Sequence, residues 1–114
     1  MQVLFDNGVP RGVASVLKEH VVEEARDRGC DRLTNGDLLR AAEAAGFEIL
    51  VTTDRNIRHQ QNLSKRVLAI VALDKSSWPL IKRKLPEIAA AVAAATPGSY
   101  ADVEISLGPD LGDG

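Results

Sequence analysis

Residues 67–73 read Val-Leu-Ala-Ile-Val-Ala-Leu, a seven-residue apolar run with no polar break. A run of this length is shorter than a typical helix and has no wet face. It therefore reads as a strand covered on both sides, the mark of the centre of a parallel sheet. Two further β-rich runs frame it upstream, Val3-Leu4-Phe5, which stops at Asp6, and residues 47–53, Phe-Glu-Ile-Leu-Val-Thr-Thr, which stop at Asp54. Residues 21–25 are readable either as a short strand or as a helical turn, residues 26–32 as loop, and residues 100–107 as an edge strand.

Helical signals fall between these runs. Pro10 suits a first helical turn, where its missing N–H costs nothing, and Val13, Val16 and Leu17 give the following turns one apolar face. Thr34 with Asp37 three residues later forms a cap signature ahead of a run of strong helix formers, residues 38–45, closed by Gly46. The amide-rich residues 56–64 read as a short helix. Two more helical segments flank Pro86, with Leu85, Ile88 and Val92 on one face. Strands alternating with helices predict an α/β fold, three-layer α/β/α around a mainly parallel sheet. In such sheets ligands collect beyond the carboxyl ends of the strands, where Asp6 and Asp54 stand.

The chain has 114 residues, room for one domain, read here as residues 1–107 with a disordered acidic tail at 108–114. Aromatics make up only 4% of it, so aliphatic side chains must fill the core. The single cysteine, Cys30, has no partner within the chain and is read as a small, half-buried side chain. No apolar segment is long enough for a membrane span, and these two features together predict a cytoplasmic protein.

The net charge of −2 hides a strong segregation. Residues 1–54 carry 6 basic and 10 acidic side chains, residues 55–84 carry 8 and 1, and residues 85–114 carry 0 and 5. The acidic balance of the whole argues against nucleic acid, yet binding depends on patches, and the middle stretch is strongly basic.

Asp6, Asp37 and Asp54 are the carboxylates that this topology could gather. Three carboxylates in one low-dielectric site repel one another unless a cation relieves them, and a hard divalent ion with oxygen ligands is the natural guest. Each also has a plainer reading. Asp6 before Asn7-Gly8 is a turn residue, Asp37 is a first-turn acid favoured by the helix dipole, and Asp54 is a helix N-cap.

The order of these pieces, Leu4-Phe5-Asp6-Asn7-Gly8-Val9-Pro10, then Asn35-Gly36-Asp37-Leu38-Leu39 with the alanine-rich run to Phe47, then Ile49-Leu50-Val51-Thr52-Thr53-Asp54-Arg55-Asn56-Ile57, resembles the PIN-like family of small bacterial and archaeal proteins. Gln60-Gln61-Asn62-Leu63 and residues 95–100 extend the resemblance, which covers residues 3–103. The resemblance implies a metal-dependent ribonuclease, often the toxin of a toxin–antitoxin pair. It also implies that Asp6, Asp37 and Asp54 hold the metal and carry catalysis. Many PIN-like proteins place Glu after the first Asp and a second Asp two places after the strand-end acid. Here Asn7 and Asn56 stand instead, each keeping an oxygen and losing a charge. The expectation is one weakly bound Mg2+ or Mn2+, with Asn7, Thr53 and Asn56 supporting the aspartates or orienting water.

In the basic stretch, Arg55, Arg58, Lys65 and Arg66 are candidates for RNA phosphates, and Gln60, Gln61 and Asn62 for bases or metal-bound water. The alternative is a solvated helix face. His59 in a polar segment reads as surface, as does His20. Lys82-Arg83-Lys84 reads as a solvated helix end. Trp78, before Pro79, reads as an aromatic that fastens a helix start to the core, with a partner anchor as the alternative. Expected partners are RNA, a cognate antitoxin and a second copy of the chain. A non-catalytic PIN-like binding module is the competing function. A phospho-receiver domain, with Asp54 as acceptor, lacks the acidic pair that its first strand requires.

Overall fold

A computed structural model describes residues 1–29, 35–54 and 67–105. Its five strands, among the described residues, are β1 (Gln2–Phe5), β2 (Val21–Glu24), β3 (Ile49–Thr52), β4 (Ala69–Leu73) and β5 (Tyr100–Val103). All pair in parallel, in the order β2-β1-β3-β4-β5. Among the described residues the α-helices are α1 (Asn35–Ala44), α2 (Trp78–Ile81) and α3 (Leu85–Ala94), with 3-10 helices at Arg11–Val16 and Ala25–Arg28 before α1 and at Lys82–Lys84 between α2 and α3. The fold is α/β with a parallel sheet, as the alternating apolar runs predict.

Every residue of β3 and β4 is buried, which is why those runs carry no polar alternation. The period-2 alternation of strand side chains divides the core in two. Val3, Phe5, Ile49, Val51, Ala69, Val71 and Leu73 pack with Val13, Ile81, Ile88 and Val92, so the first 3-10 helix, α2 and α3 lie on that face. Leu4, Leu50 and Ile70 pack with Leu38, Leu39, Ala42 and Phe47, which brings α1 to the opposite face. Leu50, Ile70 and Leu39 are at most 1% exposed. Each such burial contributes roughly 1.5–3 kcal/mol against an exposed side chain.

Local chemistry sets the boundaries. At the end of α1, Gly46 takes a left-handed φ of 88°, its N–H donates to the Glu43 carbonyl (3.1 Å) and the Phe47 N–H reaches the Ala42 carbonyl (3.0 Å). This doubled bond with a Gly in the left-handed position is the Schellman stop, and Phe47 and Ala42 join the same core cluster behind it. Pro86 falls in the first turn of α3, where it interrupts no helical bond.

One open alternative is settled and one reading needs correction. Residues 21–24 are strand, paired along β1 from Gln2↔Val21 to Phe5↔Glu24. Residues 26–28, part of the 26–32 segment read as loop, form with Ala25 a 3-10 turn ended by Gly29 at φ 74°. The polar sequence concealed that turn because its support is ionic: Arg28 donates to Glu23 (3.0 Å) and its guanidinium lies 5.2 Å from the Phe47 ring centre. The helix expected at 56–64, Cys30, His59 and the tail expected at 108–114 lie outside the described residues. No helix among the described residues is long and apolar enough to cross a membrane.

Candidate functional site

The strand order fixes where a site can form. From β1 the chain goes to β2 on one side and then crosses to β3 on the other, so the loops leaving β1 and β3 diverge at their carboxyl ends. This is the switch point of a doubly wound sheet of order 2-1-3-4-5, where the crevice opens. Asp6 directly follows β1, and Thr53 and Asp54 directly follow β3.

One buried hydroxyl ties the two loops together. Thr52 is 0% exposed, and its Oγ1 donates to Asp6 Oδ2 at 2.8 Å while accepting the Asp54 N–H at 3.0 Å. A hydroxyl has one hydrogen, so accepting from Asp54 and donating to Asp6 exhausts its donor capacity. The other oxygen of Asp6, Oδ1, accepts the Asn7 N–H at 2.8 Å, and the Asp6 N–H donates to the Val51 carbonyl at 2.9 Å. The Asp6 carboxylate is thus held at both oxygens, one from each loop. Asn7 contributes its main chain to this, which any residue at position 7 except proline would supply.

Thr53 meets the first loop differently. A Cβ on Gly8 would overlap the Thr53 hydroxyl, so the loops after β1 and β3 pack closely because position 8 has no side chain. Gly8 does not adopt a positive φ, and space alone requires it.

Asp37 stands on the same edge of the sheet by topology. The short link after α1 ends at Glu48, whose N–H donates to the Gln2 carbonyl at the amino end of β1 (2.8 Å). The C-terminus of α1 therefore lies at the amino edge, and its first turn, with Asp37, points to the carboxyl edge. The carboxylate is engaged locally, in an ion pair with Arg40 one turn on, and both side chains are about half exposed or more. Among the described residues no group of three or more His, Cys, Asp or Glu side chains is placed to hold a metal ion. The gathering of all three aspartates expected from the resemblance is not seen; Asp6 and Asp54 are linked through Thr52, and Asp37 faces Arg40.

Two residues of this edge escaped the sequence reading. Thr52 was passed over for its neighbour Thr53, although strand alternation already puts 52 on the face of Leu50 and Leu4, and so beside Asp6. Asp102 is the other. In register, Thr52 pairs with Ala72 and Ala72 with Asp102, so Asp102 closes the row on the edge strand, where it accepts the Tyr100 hydroxyl at 3.0 Å. Its signal was the alternation Tyr-Ala-Asp-Val, which sets 100 and 102 on one face.

On the far side of Asp6, Phe5, Ala14, Val22, Arg11 and Glu24 line a groove of about 300 Å³. Arg11 forms an ion pair with Glu24, which also lies 3.9 Å from Arg26, and Glu23 and Asp27 complete the lining, so the groove holds more carboxylates than basic groups. The RNA-contact candidates Arg55, Arg58, Gln60, Gln61, Asn62, Lys65 and Arg66, together with Asn56, lie outside the described residues. Of the basic stretch 55–84, the described side chains Lys75, Lys82, Arg83 and Lys84 follow β4 around α2, on the carboxyl side of the strand next to β3.

Trp78 fills the space above Gly12, where any Cβ would overlap its six-membered ring. It joins the start of α2 to the first 3-10 helix, the fastening role expected of it, and remains 37% exposed. Comparison with models of known protein families, with curated proteins and with solved structures finds no match to this chain.

Proposed function

We propose that this chain is a metal-assisted endoribonuclease of PIN-like type, with Asp6 and Asp54 at the centre of its site. The observation that carries the reading is the Asp6–Thr52–Asp54 chain of hydrogen bonds at the switch point of the sheet. Doubly wound sheets bind their ligands at this place, and two loop-end aspartates tied to one buried hydroxyl make a rigid acidic corner there.

The donor set fits one hydrated hard cation. Mg2+ takes few protein ligands, usually one or two carboxylates, and keeps several waters. Asp6 and Asp54 meet that number, and each Asp6 oxygen keeps a lone pair beyond the hydrogen bond it accepts. When bound, the ion supplies Lewis acidity toward a phosphodiester oxygen. The protein's own part is positional. Thr52 and the Asn7 N–H hold Asp6 in one orientation, Thr52 fixes the backbone at Asp54, and the Gly8–Thr53 contact keeps the two loops from separating. Asp37 enters this set only on leaving Arg40.

Asp54→Asn keeps the shape of the side chain and removes its charge. RNA cleavage in Mn2+ should fall by at least a hundredfold, read on a labelled oligonucleotide. Undiminished cleavage by Asp54→Asn, or no Mn2+ binding at millimolar concentration, overturns the reading. The toxin role and an antitoxin partner belong to the same proposal, and growth arrest on induced expression, relieved by Asp54→Asn, tests them.

A second reading, a PIN-like module that binds RNA or protein without cutting, is favoured by two observations. Asn7 brings no charge to the corner, and Asp37 is held by Arg40. If that reading is right, Asn7→Glu produces cleavage in a chain that otherwise has none.

A further inference from the structure

We infer that Trp78, with Lys75 and Lys82, forms a binding platform for single-stranded RNA beside the Asp6–Asp54 corner, with the indole stacking on a base and the lysines on its phosphates. The inference rests on the RNA-cleaving reading of that corner and specifies how its substrate is held.

Four observations converge on this surface. Residues 75–79, Lys-Ser-Ser-Trp-Pro, are all exposed, and Trp78 is among the few large apolar side chains left at the surface. Its ring is nonetheless held from beneath, since the missing side chain of Gly12 gives it a seat. An aromatic already fixed in place loses little rotamer freedom when a base stacks on it, which makes such a ring a better platform than a mobile one. Trp78 and Lys82 are four residues apart along α2 and the turn that continues it, so they are neighbours on one helix face. Among the described residues no ion pair engages Lys75 or Lys82, in contrast to Arg11, Arg26, Arg28 and Arg40, all of which meet carboxylates.

Position joins the platform to the corner. α2 follows the carboxyl end of β4, the strand next to β3, so the indole and Asp54 belong to the same sheet edge. The Trp78 seat, Gly12, belongs to the helix that begins just beyond the Asp6 loop. A strand of RNA stacked at Trp78 can therefore run along this edge to the switch point. Double-stranded RNA hides its base faces and cannot stack there, so the surface selects unpaired substrate.

Trp78 is the only tryptophan in the chain, so its fluorescence reports the event directly. The test titrates the Asp54→Asn protein with a 12-residue oligouridylate in EDTA, where no cleavage intervenes. The expected result is saturable quenching, with affinity falling as salt rises at a log–log slope of about 1.4 for two phosphate contacts on a single strand. Lys82→Gln should lower that slope by about 0.7. With a labelled oligonucleotide, Trp78→Ala should bind roughly 5- to 100-fold more weakly and Trp78→Phe should recover part of the loss. A 12-base-pair RNA duplex should leave the fluorescence unquenched. No saturable quenching by the oligouridylate, equal quenching by the duplex, or a salt slope unchanged by Lys82→Gln overturns the platform. Cleavage by the wild-type chain without quenching would reject the platform and keep the nuclease. Quenching without cleavage would do the reverse.

Discussion

Thr52→Val is the sharpest probe of the corner, because valine matches threonine in shape and removes only the hydroxyl. Thr52 is fully buried and bonded on both sides, to Asp6 Oδ2 at 2.8 Å and from the Asp54 N–H at 3.0 Å. A hydrogen bond to a carboxylate contributes about 1.5–3 kcal/mol, and the neutral bond about 1 kcal/mol. Asp6 and Asp54 are half-buried, so water replaces part of what each loses, and the net cost should be about 2–3 kcal/mol. At about 4 °C per kcal/mol for a domain of this size, the midpoint should drop by roughly 8–12 °C. Circular dichroism at 222 nm measures the midpoint in a thermal melt and the free energy in urea, where an unchanged m-value marks a change in stability alone. Thr52→Ser keeps the hydroxyl and should recover most of the loss. The reasoning fails if Thr52→Val lies within 0.5 kcal/mol of wild type, or if the serine variant is as unstable as the valine one.

Three other substitutions test other parts of the structure. Gly12→Ala drives a methyl group into the Trp78 ring and should cost about 1–3 kcal/mol by overpacking, with a red-shifted tryptophan emission as the ring leaves its seat; unchanged emission would show that the ring does not rest there. Glu43→Ala removes the carboxylate that accepts the Val67 and Leu68 N–H groups at 3.2 and 3.3 Å, and should cost about 1–2 kcal/mol with faster exchange of the Leu68 amide; hydrogen exchange resolved by residue checks it. Arg40→Ala removes the ion pair between Arg40 and Asp37 at an exposed site, so stability should move by less than about 1 kcal/mol, as for other surface ion pairs. If Asp37 can join Asp6 and Asp54, the same variant should bind Mn2+ more tightly, and unchanged Mn2+ affinity would leave Asp37 outside the site.

The fold was legible where burial dictates composition. Residues 68–73 and the Ile49–Thr52 segment are buried on both faces, and β3 and β4 are those strands, while Val67 at the head of the apolar run stays exposed. Gly46 closed α1 because only a glycine readily takes the left-handed turn at that point. The edges were less legible for the same reason. β2 is half-exposed, so its Val-Val-Glu-Glu needs no continuous apolar run, and its identity comes from pairing with β1 rather than from its own residues. The 3-10 turn after it is supported by Arg28 across to Phe47 and Glu23, contacts that no local pattern announces.

The site divides along a similar line. Asp6 and Asp54 were visible because each ends an apolar strand, and a strand-end acid in a parallel sheet has few other places to go. That Thr52, and not Thr53, joins them follows from parity. Leu4 and Leu50 face the α1 side in register, so the next residues on that face are Asp6 and Thr52, while Thr53 falls in the loop against Gly8. Parity could have been applied to the sequence once β1 and β3 were known to be neighbours, but neighbourhood is set by the crossover, which no single segment encodes. Asp37 shows the opposite case. Its place in the first turn of α1 puts it on the correct edge, yet Arg40, three residues on, offers it a partner within one helical turn, and a local ion pair needs no long-range convergence to form. The proposed acidic corner is instead built across strands, from Asp6 after β1 and Asp54 after β3 joined by Thr52, and with the neutral Asn7 beside Asp6 it holds two carboxylates where Asp37 does not reach it.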